Sequence, residues 1–301
     1  MNGATVSRRA FGRFLRQIRE GAGKTALAAG LEIEVSRQTL LRMEDGLATK
    51  IATSQLRDLL AFYGATEEIR AEALSLWDEV REQAKAAQLQ GNSKGFWRPY
   101  ADQYEAHFPH YLRLETSARR ITAHQMILVP GLLQTSDYRR GVIRIDGPDL
   151  SAVDLERRIE LTARRQARID QDEFQLNVLL SEAVLRHRPA GAPAMSAQLS
   201  WLAEVGQRPN ISIRVVTFES GAHRGLTAQS FTMLEFPKLQ NGFVDPPVVY
   251  VEGAHGLGGV YHERDDVVRN YDRTILALRE VALTEHETRD LVMRYAKEYA
   301  A

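Results

Sequence analysis

Glycine punctuation over the first 80 residues is the feature that most restricts how this chain can fold. "EGAGK" (20–24), "EDG" (44–46) and "YGA" (63–65) each interrupt an apolar pattern of helical period. Phe11, Phe14, Leu15 and Ile18 keep the three-four spacing of one buried face. Leu27, Ala28 and Leu31 follow Thr25, and Leu40, Leu41 and Met43 follow Ser36. Leu56, Leu59, Leu60 and Tyr63 precede Gly64, and Ile69, Ala73, Leu76 and Val80 come after Glu67. Thr25 and Ser36 stand where a hydroxyl can cap the second and third segments. Helices this short are marginal alone in water. The five are therefore expected to pack as one all-α unit over residues 7–82.

The 301 residues suffice for a second core. "AKAAQLQGNSKG" is small, polar and glycine-bearing, so residues 83–95 read as a linker. Residues 96–301 then differ in character. They open with an aromatic-rich stretch from Phe96 to Phe108, and four β-branched or aromatic runs follow at 174–180, 211–218, 230–236 and 247–253. Helical patterns fill 151–169, 195–206, 264–280 and 284–299. The expected chain is multidomain: a helical N-terminal domain, then an α+β domain with about four strands, antiparallel or mixed.

Cysteine is absent, which removes disulfides, thiolate nucleophiles and cysteine-based zinc sites. No apolar run reaches the length of a membrane span, and "MNGATVSRRAFGRFLRQIRE" lacks a secretory h-region. A cytoplasmic protein with no membrane association is expected. The formal net charge is zero, so any affinity for nucleic acid must come from local charge, and residues 1–66 carry a modest excess of Lys and Arg.

Thr25 to about Ile33, a short turn, and Ser36 to Asp45 have the lengths of a helix-turn-helix, whose second helix enters the major groove. Arg37, Gln38 and Thr39 would occupy the first turn of that helix. Arginine pairs bidentately with guanine and glutamine with adenine, so these three are the candidates for base contact. Thr25, Ser36 and Arg42 are the candidates for phosphate contact. Periodicity alone fits equally well a plain helical bundle whose polar face carries Arg and Gln.

Residues 11–64 resemble the Xre-type (lambda-repressor-like) helix-turn-helix family. The matching residues are Leu15, Arg16, Arg19, Glu20, Gly23, Thr25, Val35, Ser36, Leu40, Arg42, Met43, Glu44 and Gly46. The resemblance implies that 36–45 is a recognition helix. Three positions depart from the family pattern: Ala26 where Gln is usual, Glu34 where Gly is usual, and Leu41 where Ser is usual. Ala26 and the acidic Glu32 and Glu34 weaken the expected grip on phosphate, so binding is expected to depend on dimerisation.

"VPGLLQT" (129–135), with an upstream "WxxY" (97–100), resembles a group of actinobacterial Xre-type regulators. These share an uncharacterised, antitoxin-like C-terminal domain. "RRQARI" (164–169), "LLSEAVLRH" (179–187), "SFTMLEFP" (230–237) and "VVYVEG" (248–253) extend the likeness along the chain. The resemblance implies a transcriptional regulator, often encoded beside a small partner protein.

Candidate catalytic groups are few. His255, His262 and Glu263 match no metal-ligand spacing, and no nucleophile elbow, P-loop or dinucleotide fingerprint is present. Glu182 and Glu252 each close a strand, so two carboxylates could meet at strand ends. No enzyme activity, metal or cofactor is expected. Trp97, Tyr100, Glu182, His223 and Glu252 are the candidates for an effector or partner surface. Arg157, Arg158, Arg164, Arg165 and Arg168 on one helix read as a solvated face. The expected partners are an operator duplex, a second copy of the chain, and either a small-molecule effector or a small protein from a neighbouring gene. The alternative is an antitoxin-like interaction protein that holds a small partner, with DNA binding secondary.

Overall fold

The computed structural model describes residues 6–47, 49–89, 95–103, 108–238, 244–253 and 259–300. The chain divides into two compact units. Residues 1–96 and 236–245 form one, and residues 97–235 and 246–301 form the other.

Five helices build the first unit: α1 (Val6–Gly21), α2 (Ala26–Glu32), α3 (Arg37–Glu44), α4 (Thr53–Phe62) and α5 (Glu67–Leu89). Phe11, Leu15, Ile33, Leu40, Met43, Leu56, Leu59, Leu60, Leu76 and Trp77 are buried in its core. Helix α2 turns differently from the expected face. It buries Ala29 and Gly30 and leaves Leu27 and Leu31 55% and 70% exposed. Gly30 is the reason: a Cβ there would stand 2.8 Å from the carbonyl oxygen of Val35, so the small residue lets the following turn lie against the helix. Helix α5 also corrects the linker reading. It continues through Leu89, so residues 83–89 are helical, as the strong helix formers of "AKAAQL" permit. The rest of that stretch, 90–94, lies outside the described residues.

The second unit begins with a 3₁₀ segment (Arg98–Gln103) and α6 (Phe108–Ser117). Strand β1 (Arg120–Gln125) follows, then α7 (Ser136–Asp146), α8 (Ala152–Gln166), β2 (Gln175–Ser181), α9 (Ala183–Arg186), α10 (Gly191–Val205) and β3 (Ile211–Val216). The chain ends with α11 (Gly225–Ala228), β4 (Phe231–Glu235), β5 (Val248–Glu252), β6 (Gly259–His262), α12 (Asp265–Val281) and α13 (Glu285–Ala300). The six strands form one mixed sheet in the order β3-β2-β1-β4-β5-β6. β1, β2 and β3 run parallel, each joined to the next by a helical crossover, as parallel pairing requires. β4 to β6 complete the sheet antiparallel.

The four expected strands are present as β2 to β5, and β1 and β6 extend the sheet to six. β1, "RITAHQ", has only Ile121 and Ala123 as apolar residues, yet four of its six residues are buried at the centre of the sheet. Its His124 is accommodated because Nδ1 lies 3.2 Å from the Leu179 carbonyl oxygen and can donate to it. β6 has only four residues at the sheet edge. One face of the sheet, carrying Leu179, Phe231, Met233 and Val249, is covered by Val268, Ile275 and Leu278 of α12.

"VPGLLQT" is a backbone knot tied by three glutamines. Gln134 Nε2 donates to the Val129 carbonyl (2.6 Å), and Gln166 Nε2 donates to those of Gly131 (3.1 Å) and Gln134 (2.6 Å). Gln198, fully buried, donates to the Leu133 carbonyl and accepts from the Thr135 amide, both at 2.7 Å. The Thr135 hydroxyl then caps α7. The motif satisfies buried backbone groups that have no strand or helix partner.

The arginines of α8 are not a solvated face. Arg165 is buried and pairs bidentately with buried Glu115, 2.8 Å on each arm. Arg168 donates to the carbonyls of Thr116 and Ala118, and Arg157 pairs with Asp102. Among the ion-paired arginines of this helix, Arg164 stays on the surface, bonded to Glu160 one turn away.

Candidate nucleic-acid interface

The turn between α2 and α3 is built from two caps. Thr25 Oγ1 accepts from the Ala28 amide (3.1 Å) and starts α2. Helix α2 ends in a Schellman arrangement: the Val35 amide donates to the Gly30 carbonyl (2.8 Å) and the Glu34 amide to the Leu31 carbonyl (3.2 Å). Ser36 Oγ then accepts from the Thr39 amide (3.0 Å) and starts α3. Gln55 of α4 braces this turn by donating to the Ile33 carbonyl (2.8 Å).

α1, α3 and α4 end in the same way on left-handed glycines, Gly23, Gly46 and Gly64, at φ of 66°, 71° and 66°. At the end of α2 that position belongs to Glu34, at φ 57°. A side chain with a Cβ holds this conformation only at a cost of about 1 kcal/mol or more.

Helix α3 is amphipathic in the sense the interface needs. Leu40, Met43 and Glu44 face inward, while Arg37 and Gln38 are exposed. Among the described residues the side chains of Arg37, Gln38 and Arg42 have no hydrogen-bond or ion-pair partner, so their donors are available to a ligand. Thr39 Oγ1 lies 2.9 Å from Ser36 Oγ, so one of these two hydroxyl protons bridges the pair and the other can be donated outward.

A buried charge cluster fixes α3 on α1. Glu44, 1% exposed, accepts from Arg19 Nε (2.6 Å) and Nη2 (2.9 Å) and from Arg16 Nε (3.3 Å). Arg16 also reaches Asp45 at 2.5 Å, and Arg19 Nη1 donates to the Lys24 carbonyl (2.9 Å). The bonds from Glu44 raise the pKa of Arg19 above its ordinary value, outweighing burial. Burial, with Glu44 nearby, likewise pushes the Tyr63 phenol up. Gly12 completes the seat: a Cβ there would stand 2.5 Å from the carbonyls of Met43 and Glu44. This cluster was not foreseen as a structural device. Its signal in the sequence is Arg16 and Arg19, three residues apart on α1, with Glu44 next to Met43 on the inward face of α3.

The candidate residues of the second unit do not converge. Glu182 is buried and fully engaged, accepting from the Phe218 amide (3.0 Å) and from the Tyr295 hydroxyl (2.6 Å). Glu252 is exposed at the end of β5. β2 and β5 have β1 and β4 between them, so the two carboxylates are separated by three strand spacings, about 14 Å. Trp97 and Tyr100 are buried, and the Arg164 guanidinium of α8 lies 5.6 Å from the Tyr100 ring centroid. His223 is half-buried just before α11. These residues form no shared site.

Two short helices joined by a capped turn, the second exposed at its start and clamped at its end, make the first unit a helix-turn-helix domain. A family described as a helix-turn-helix domain matches residues 10–73. A family described as a domain of unknown function (DUF5753) matches residues 108–294, more than half of the chain, and the protein belongs to that family. No curated protein and no solved structure matches the chain. No helix among the described residues is long and apolar enough to cross a membrane.

Proposed function

We propose that this protein is a cytoplasmic transcriptional regulator that binds an operator as a homodimer through α3, and that its C-terminal domain senses a small molecule or holds a partner protein. The observation that carries this reading is the first turn of α3. Arg37 and Gln38 project from a helix anchored at its other end by Glu44, and neither is consumed by an intramolecular bond. Long side chains with free donors on a rigid helix suit bidentate contact to guanine and adenine edges. Thr39 adds a hydroxyl beside them, and Thr25, Ser36 and Arg42 supply donors for flanking phosphates.

Dimerisation follows from the weak points of the single unit. Ala26 offers no donor, and exposed Glu32 and Glu34 repel the phosphate backbone. Two copies reading half-sites one helical turn apart would offset this. Arg37→Ala should weaken specific binding by about 1–3 kcal/mol and relax one operator position, read by gel shift on the native promoter. An unchanged shift would remove Arg37 from the interface.

A further inference from the structure

We infer that the cavity bounded by β5, β6, α11 and α12 is a binding site for a small organic anion whose charged head is joined to an apolar body. The inference deepens the sensory half of the proposed function and rests on it.

The cavity holds about 500 Å³, within the range of small-molecule sites. Its wall has two chemistries. Ala228, Val251, Val260 and Val267 supply an apolar side. Arg224, His262 and Asn270 supply donors, the Thr227 and Thr274 hydroxyls donate to the Arg224 and Asn270 carbonyls, and no carboxylate lines the cavity among the described residues. Arg224 is bonded on one arm only, its Nη2 donating to Asn270 Oδ1 at 2.7 Å. The rest of the guanidinium is thus oriented yet unneutralised, which suits a carboxylate or phosphate. The floor is preorganised, because Val251 and Tyr271 pack on the core that α12 forms with the sheet.

Backbone strain at the rim points the same way independently. Gln229, the residue after α11 and part of the cavity wall, has φ 57° and ψ −174°. That region is occupied almost only by glycine, and a side chain held there costs stability. Such strain persists where the surroundings over-determine a geometry, and here it falls on a residue of the cavity wall.

The test uses the full chain without DNA and the fluorescent anion 8-anilinonaphthalene-1-sulfonate, with the uncharged N-phenyl-1-naphthylamine as its counterpart. The wild type is expected to bind the anion saturably, one per chain, and at least fivefold more tightly than the uncharged dye. Arg224→Gln should weaken the anion at least fivefold and leave the uncharged dye unchanged. Val260→Trp, at a position 56% exposed on an edge strand and therefore tolerant of the larger residue, should fill the cavity and abolish both. Octanoate or phenyl phosphate should displace the dye, and which one does so distinguishes a carboxylate from a phosphate ligand. Equal anion binding by all three proteins, equal affinity for the two dyes, or displacement by neither competitor would overturn the assignment. A gel shift on the same preparations separates the two readings. Intact DNA binding with no dye site refutes the cavity alone, and a dye site without DNA binding refutes the regulator alone.

Discussion

Arg19→Ala should loosen α3 from α1 and destabilise the whole N-terminal unit. In the native unit the Glu44 carboxylate is almost wholly removed from water and accepts three guanidinium bonds, two of them from Arg19. Truncating Arg19 leaves one bond, the longest, from the half-exposed Arg16. A buried charge stripped of its main partner costs about 3–5 kcal/mol. The Lys24 carbonyl at the end of α1 loses its donor as well. A single domain has only about 5–15 kcal/mol of stability in total, so the N-terminal unit should come close to unfolding. Peptide-resolved hydrogen exchange of the full chain reads this directly, because it reports each unit separately. Amides of α1 and α3 should lose a hundredfold or more in protection, while those of β1 to β3 remain unchanged. Replacing both partners, Arg19→Met with Glu44→Leu, removes the charges together and should restore most of the loss. Less than a tenfold change in the single variant, or a double variant no better than the single, would refute the view that Glu44 anchors the helix.

Glu34→Gly should stabilise the first unit by about 0.5–1 kcal/mol, since glycine occupies the left-handed position without the Cβ penalty and an acidic side chain leaves the interface; a lower midpoint in urea would contradict this. The buried His124 ring is held below the ordinary imidazole value of 6.5, mainly by burial and further by His223. The folded form therefore keeps the ring neutral while the unfolded chain takes up a proton first. Stability should fall as pH drops below about 6.5, and the decline should flatten in His124→Gln, whose amide can still donate to Leu179. Urea titrations from pH 8 to pH 5 check this, and parallel curves for the two proteins would exclude His124 as the source.

Much of the first unit was legible because its signals are local. Thr25, Ser36, Gly46 and Gly64 act on residues within one turn of themselves, and the structure uses each as a cap or a stop. The orientation of α2 was not legible. Leu27 and Leu31 form an apolar pair at i and i+4, but Gly30 decides which face lies inward through a contact with the next turn. The same limit governs the second unit. β2 to β5 are mostly apolar, whereas β1 has only Ile121 and Ala123 as apolar residues and is a strand because its neighbours on both sides enforce it. The α8 arginines follow a surface pattern, and only the placement of Glu115 on α6 draws Arg165 inside. The candidate base contacts depend on local helix phase, and Arg37 and Gln38 lie exposed on the first turn of α3. The cavity at α11 and α12 joins residues from four separate stretches, and no spacing announces it.

Selection of bound sequences from a random double-stranded DNA pool tests the central claim most directly, run with the purified full chain and with Arg37→Ala and Gln38→Ala. The account predicts a two-fold symmetric motif for the wild type, with half-sites about 34 Å apart along the duplex. It also predicts that each variant loses sequence preference at one position per half-site while keeping the rest of the motif. A wild type that enriches no sequence, or variants that enrich the same motif undiminished, would contradict the assignment of α3 as the helix that reads DNA.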